Sequence, residues 1–151
     1  DLYEGGIRVP LIVKAPGKVQ PGKVNHDAFA FWDVLPTVAE LAGTAVPQQI
    51  DGISFSPSLS GKAQQQHDYL YWQFKEGELK EALTKGDWKL IRFKEEGQKE
   101  VLELYNLRND IGEQTNLAAK NPAKVNELKQ LLLKAKTPAE NETFDWSAVE
   151  R

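Results

Sequence analysis

The chain has no cysteine and no methionine, carries only two histidines, and contains no long apolar run. Without cysteine there are no disulfides, no thiolate metal sites and no cysteine nucleophile. Because the chain starts at Asp1 and has no methionine, it reads as a piece of a longer protein. A missing leader therefore says nothing about compartment, and localisation stays unknown from these residues. No stretch approaches the ~18 apolar residues that a membrane-spanning helix needs, so no membrane segment is expected. Positive charge is also short: 19 basic against 22 acidic residues leave a net charge of −3. That balance gives no electrostatic case for a nucleic-acid partner.

What is present fits an ordinary globular unit. At 151 residues, a chain can bury roughly 68–70% of its unfolded surface without covalent staples. The 40% hydrophobic and 27% charged content argue against disorder. There is no internal repeat, but the character changes near Gln64. The opening places Glu4-Gly5-Gly6-Ile7-Arg8 directly before the apolar run Val9 to Val13. This pattern predicts a tight loop feeding a short buried strand, and loops at strand ends commonly host chemistry. Two Pro-Gly-type breaks follow between Ala15 and Gly22. Asp33 is placed to cap a helix through Ala42, with Pro36 in its first turn, Leu35, Val38 and Leu41 on its buried face, and Gly43 as its stop. Ser56-Pro57 starts a second, very short helix containing Leu59 and closed by Gly61.

Beyond the polar linker Lys62 to His67 the period switches to two. Tyr69 to Phe74 alternates and is rich in aromatic residues, which favours a strand. Ala82 to Thr84 and Trp88 to Phe93 flank Lys85-Gly86-Asp87, a hairpin connection. A turn at residues 95–98 leads into Val101 to Tyr105, and Asn121-Pro122 starts a helix to about Lys136. Val125, Leu128, Leu132 and Ala135 lie on one face of that helix, while Lys129, Lys134 and Lys136 suit the negative end of its dipole. The fold class expected is α+β: a four-stranded antiparallel sheet packed on one face by a carboxy-terminal helix and preceded by a strand–helix remnant of a larger α/β domain. The domain boundary falls between residues 63 and 64.

Six segments resemble the sulfatase family of the alkaline-phosphatase-like superfamily, in the family's order and over residues 2–136. Leu2 to Pro10 is similar to its YEGGxRVP segment, followed by Leu11-Ile12-Val13 and the Ala15-Pro16-Gly17-Lys18 turn. Asp33 to Gly43 resembles D-x-L-P-T-x-x-x-L-A-G, and Asp51 to Phe55 resembles D-G-x-S-L. Gly86 to Ile91 resembles G-x-(W/Y)-K-L-I, and Glu103 to Ala118 resembles E-L-Y-D-L-x-x-D-P-x-E-x-x-N-L-A. Asn106 stands where Asp is usual and Ile111 where Pro is usual, which implies a less rigid loop. The resemblance implies an arylsulfatase-like parent that hydrolyses sulfate esters of a sulfated carbohydrate or small molecule with a formylglycine and Ca²⁺. It also implies an extracytoplasmic (periplasmic or secreted) parent.

The family makes formylglycine from Cys or Ser in C/S-x-P/A-x-R, and no segment of this chain has that motif. The resemblance places the Ca²⁺ ligands, active-site histidines and sulfate-binding lysine before Asp1. No catalytic residue, metal ligand or cofactor is therefore expected in this chain, whose main partner is the rest of the parent. Residues 1–63 would end the catalytic domain, and residues 64–151 would form the carboxy-terminal subdomain.

Several residues remain candidates for sites. Glu4, Gly5, Gly6 and Arg8 read as neighbours of the sulfate pocket that hold its polar groups in place, or as a fold-determining turn with a salt bridge. Tyr69, Tyr71, Gln73 and Lys75 are a candidate edge of the substrate cleft, with Leu70, Trp72 and Phe74 on the core side. Alternation allows only one set to face a one-sided core. His26 and His67 read as solvated or capping residues. Asp110, Glu113 and Asn116 read as turn and capping residues rather than a cation loop. Asn141-Glu142-Thr143 is a formal glycosylation sequon.

Two alternatives stay open: a superfamily phosphodiesterase or phosphonate hydrolase as parent, and a non-catalytic carbohydrate-binding or interaction module. The strand expected at residues 9–13 would lack its parallel partners. Irregular packing, pairing with another chain or dimerisation through that edge is the expected consequence.

Overall fold

The computed structural model describes residues 1–76, 78–95 and 97–140, without the side chains of residues 75 and 76. The sequon at residues 141–143 lies outside this range. Two compact units form: residues 1–9 with the described residues from Tyr69 to 140, and residues Pro10–Asp68. Residues 1–9 thus cluster with the sheet.

The sheet unit is an antiparallel meander of β1 (Leu70–Glu76), β2 (Glu78–Lys85), β3 (Trp88–Lys94) and β4 (Val101–Asn106), in spatial order β1-β2-β3-β4. Register is set tightly by the hairpin at Gly86-Asp87. Lys85 pairs with Trp88, and Gly86 takes the left-handed conformation (φ 57°) that a short turn of this kind needs. Strand β2 is longer than the Ala82–Thr84 segment expected. Its first half carries Glu78, Lys80 and Glu81, which hide the apolar alternation. Glu81 is nevertheless fully buried.

One sheet face carries Leu83, Leu90 and Leu104, which pack against Leu128 and Leu132 of the terminal helix α4 (Pro122–Ala135). Pro122 opens this helix, where a missing backbone N–H costs nothing. Charged side chains also pin the helix down, beyond the dipole role expected for them. Lys136 meets Glu81 at 2.8 Å, Lys129 pairs with Glu100, and Arg92 bridges Glu81 (2.7 Å) and Glu100 (2.9 Å). A buried carboxylate such as Glu81 is tolerable only when neutralised and hydrogen-bonded in this way.

The opposite face is also covered, which corrects the one-sided core inferred from alternation. Leu2 and its neighbours Tyr3 and Ile7 pack onto Ala82, Ile91 and Tyr105, with Trp72, Phe93 and Leu107 around them. Tyr71 and Trp72 of β1 therefore pack on opposite faces of the sheet, while Gln73 and Phe74 are exposed. Residues Glu4–Ile7 form a single helical turn, α1, at the place where a tight Gly-Gly loop was expected. Only Gly6 is sterically required: a Cβ there would stand 2.4 Å from the Asp1 carbonyl oxygen, whereas one at Gly5 meets nothing within 4 Å.

In the second unit a 3₁₀ turn (Phe31–Asp33) leads into α2 (Val34–Ala42), which ends at Gly43 with φ 68°. A short helix α3 (Ser56–Leu59) follows. The buried face of α2 is Pro36, Thr37 and Ala39, while Leu35, Val38 and Leu41 are 54%, 56% and 43% exposed. This reverses the face read from periodicity. Polar anchoring decides it: the Phe55 N–H donates to Thr37 Oγ1 (2.9 Å), and Thr37 donates in turn to the Asp33 carbonyl (2.6 Å). Gly52 lies against this helix, so close that a Cβ would stand 2.2 Å from the Trp32 carbonyl oxygen. The Asp33 side chain makes no cap on α2 and instead closes the start of the preceding 3₁₀ turn. It accepts from the Ala30 and Ile53 N–H groups (2.7 and 2.8 Å) and faces the His67 ring at 2.9 Å.

No strand forms at residues 9–13. Val9, Leu11 and Ile12 are 77%, 56% and 90% exposed, and no described strand pairs with them. A buried parallel strand exists only between partner strands, so the apolar run alone does not produce one.

Candidate functional site

The amino-terminal turn is held by three charged side chains that come together from distant parts of the sheet unit. Strand β3 projects Lys89 toward α1, and the side chain has no solvent exposure. Its ammonium meets Glu4 Oε1 at 2.9 Å and Glu113 Oε1 at 2.8 Å. Glu113 Oε2 accepts the Glu4 backbone N–H at 2.5 Å. Residue 4 is thereby gripped at its backbone and at its side chain. The second carboxylate oxygen of Glu4 accepts from Arg8 Nη1 at 3.2 Å, across one helical turn. Arg8 is the exposed end of this chain of charges, with 60% of its side chain open to water.

A phenol pair stands on the same sheet face. Tyr3 and Tyr105 both donate to Glu103 Oε2, at 2.6 and 2.9 Å. Burial, reinforced by the Glu103 carboxylate, pushes the Tyr105 phenol up to about 12 and raises Tyr3 further above its ordinary value. Both phenols therefore act as hydrogen-bond donors that fix Tyr3 on the sheet.

Of the first candidate group, Glu4 is buried at the centre of these contacts, Arg8 is bonded to it, and Gly6 permits the close turn. A Cβ at Gly5 would meet nothing within 4 Å. The second group is placed differently. Tyr69 and Tyr71 pack against the Leu83–Leu90–Leu104 cluster beneath α4. The Tyr71 hydroxyl donates to buried Glu81 at 2.8 Å. Gln73 is exposed, and the side chain of Lys75 lies outside the described residues.

Lys89, Glu113 and Glu103 were not singled out for this turn by sequence reasoning. The available signal was a lysine inside the apolar strand Trp88–Phe93, at a position alternating with core residues. Asp110 and Asn116 do hold the turn as read: Asp110 accepts the Gln114 and Thr115 N–H groups, and Asn116 accepts those of Leu104 and Ala118. Glu113 between them points the other way, into the sheet unit.

This arrangement can orient and neutralise charge. It offers no nucleophile, and the chain has no cysteine. Among the described residues no three His, Cys, Asp or Glu side chains gather into a group that could hold a metal ion. The described residues of this turn therefore do not fit a Ca²⁺ site.

The family model for the carboxy-terminal domain of N-sulphoglucosamine sulphohydrolase matches residues 1–138. The chain belongs to this sulfatase family. A sulfatase from Formosa agariphila is 37% identical over 138 residues, covering 80% of this chain and 24% of that protein. An N-acetylgalactosamine-6-O-sulfatase from Bacteroides thetaiotaomicron is 32% identical over 150 residues, covering 91% of this chain and 29% of the relative. The solved structure of a 2-O GAG sulfatase is similar with a TM-score of 0.57 at 34% identity, over 68% of this chain and 23% of that one. The sulfatase chain described here thus spans about a quarter of the length of the relatives it matches.

Proposed function

We propose that this chain is the carboxy-terminal domain of a longer sulfatase that hydrolyses sulfate esters of a carbohydrate, and that alone it turns over no ester. The observation that carries this is the family match across residues 1–138, in a chain spanning about a quarter of its relatives. In this reading the formylglycine and Ca²⁺ belong to residues outside the chain and supply the nucleophile and the charge neutralisation. Glu4, Gly6 and Arg8 border the sulfate pocket, Gly5 completes their turn, and exposed Gln73 extends the cleft edge.

The remainder of the parent covers the apolar surfaces left open here. Phe31, Leu35 and Val38 flank an open groove of about 640 Å³, and Val9, Leu11 and Ile12 stand in water. Such exposure is unusual for surfaces that stay solvated. Pairing of residues 9–13 with a second copy is the competing occupant.

The test is reconstitution. Purified chain is assayed on an aryl sulfate alone, and again after co-expression with the preceding part of its parent. Turnover is expected only in the second case, together with a one-to-one complex by light scattering. Turnover by the chain alone overturns the proposal, and a stable homodimer through residues 9–13 overturns the assignment of those residues to the parent. Hydrolysis of an aryl phosphonate but not of the sulfate by the complex would replace the sulfatase reading.

A further inference from the structure

Four charges meet at the amino-terminal turn and sum to zero: Lys89 and Arg8 against Glu4 and Glu113. They are arranged in depth. Lys89 has no surface, Glu113 and Glu4 are nearly closed off, and Arg8 alone is largely open. No ligand can reach Lys89, so whatever it does must pass through its two carboxylate neighbours. One of those neighbours, Glu4, uses its other oxygen on Arg8.

Glu113 carries a second, independent mark. Its backbone has φ 52°, the left-handed region where Gly sits without strain and a long side chain does not. Strain of this kind persists where the surrounding structure requires that residue. Here its carboxylate has two tasks that glycine could not perform, on the Glu4 N–H and on Lys89. Neither partner is local: Glu113 and Lys89 lie 109 and 85 positions from Glu4 along the chain. An i,i+4 pair with one partner largely in water, as Arg8 is beside Glu4, is weak by itself. Its geometry becomes definite only because the carboxylate is anchored from behind.

We propose that Lys89 and Glu113 are positioning residues for the Glu4–Arg8 turn. They clamp the Glu4 carboxylate, so that it presents the Arg8 guanidinium in one orientation to an anionic ester. The fixed fork of donors on a guanidinium suits a sulfate group, but only if its direction is set beforehand. The substrate-facing half of this inference rests on the assignment of Glu4 and Arg8 to the pocket border.

The positioning half is read in the 151-residue chain by nuclear magnetic resonance. In Lys89→Met, the Arg8 side-chain Nε–Hε signal should move to the position of free arginine. Exchange of the Arg8 backbone N–H, which donates to the Glu4 carbonyl at 2.8 Å, should quicken roughly tenfold by local opening that low denaturant does not change, whereas exchange of Leu83 and Leu90 follows global stability. Unchanged Arg8 signals overturn the proposal. Glu113→Gly gives the same reading without backbone strain, should Lys89→Met not fold. In the full-length enzyme, Lys89→Met should lower kcat/KM for an aryl sulfate by roughly 10–100-fold. In an Arg8→Ala background it should add less than about twofold, because the path through Arg8 is already gone. Losses that multiply independently overturn the proposal. Wild-type turnover in Arg8→Ala would instead remove the pocket-border assignment, leaving the resonance measurement to decide the positioning role.

Discussion

Lys89 Nζ stands 2.8 Å from Glu113 Oε1, and the lysine side chain has no contact with water. Lys89→Ala leaves the Glu4 and Glu113 carboxylates buried together with no cation between them and should destabilise the chain by about 3–5 kcal/mol. Glu113→Ala leaves Lys89 paired with Glu4 but frees the Glu4 N–H, and should cost about 1–3 kcal/mol. Chemical denaturation with unchanged m-value checks this. A loss near that of an exposed pair, about 0–1 kcal/mol, would show that the triad is hydrated in solution.

The two glycines of the opening turn should behave oppositely. A Cβ at Gly6 would enter the Asp1 carbonyl at 2.4 Å, whereas Gly5 opens onto empty space. Gly6→Ala should cost about 1–3 kcal/mol through forced backbone displacement. Gly5→Ala should be neutral or stabilise by about 0.4–1 kcal/mol, since it restricts the unfolded chain at a position with no clash. Melting temperatures of the two variants, measured side by side, test the pair.

Helix faces give a third contrast. Leu132 is fully buried against the sheet, while Leu35 on α2 is 54% exposed. Leu132→Ala should cost about 2–5 kcal/mol. Leu35→Ala should stay within about 0.5 kcal/mol in the chain alone. In the proposed full-length enzyme Leu35→Ala should become costly, and an equally small effect there would show that this face stays open.

The acid limb of the stability curve should depend on Glu100. Burial pushes its carboxyl up, but hydrogen bonds from Lys129 and Arg92 outweigh that, and the folded value lies below the ordinary 4.5. A lowered folded value means stability that is whole above the unfolded value and is lost as pH falls through the folded one. Wild type should therefore exceed Glu100→Gln at neutral pH, and the two should converge in acid. Parallel curves across that range would contradict the assignment.

Strand order, hairpin position and the terminal helix were legible because each is set by local chemistry: Gly86 at a left-handed turn, Pro122 at a helix start, and leucines at helical spacing. The helix face at Leu35 was not, because an apolar stripe states only that something covers it. Thr37 and Gly52 chose the inner face here through contacts 15 to 20 residues apart. The strand at residues 9–13 failed for the same reason, since a parallel strand is a property of its neighbours. The triad was hidden by distance: Glu4, Lys89 and Glu113 each have a plausible local role, and only the sheet brings them together. Even so, Lys89 lies in the Gly86–Ile91 segment, and Glu103, Tyr105 and Glu113 in the Glu103–Ala118 segment, that resemble the sulfatase family.

Attachment of the amino-terminal segment should loosen in alkali. Tyr3 and Tyr105 share the Glu103 carboxylate, and both phenols ionise above their ordinary value of 10. A raised folded value contributes stability that is complete below the unfolded value and disappears as pH rises through the folded one. For Tyr105 that window runs from 10 to about 12. Once a phenolate forms beside Glu103, two negative charges face each other where a hydrogen bond had been. Tyr3→Phe removes a bond to a charged acceptor and should cost about 1.5–3 kcal/mol at neutral pH. The gap between wild type and Tyr3→Phe should then close across the alkaline window, together with faster exchange of the Ile7 and Arg8 amides. No gap at neutral pH would mean that the Tyr3 hydroxyl contributes nothing to holding the segment on the sheet, and a gap that persists unchanged through the alkaline range would overturn its release by ionisation.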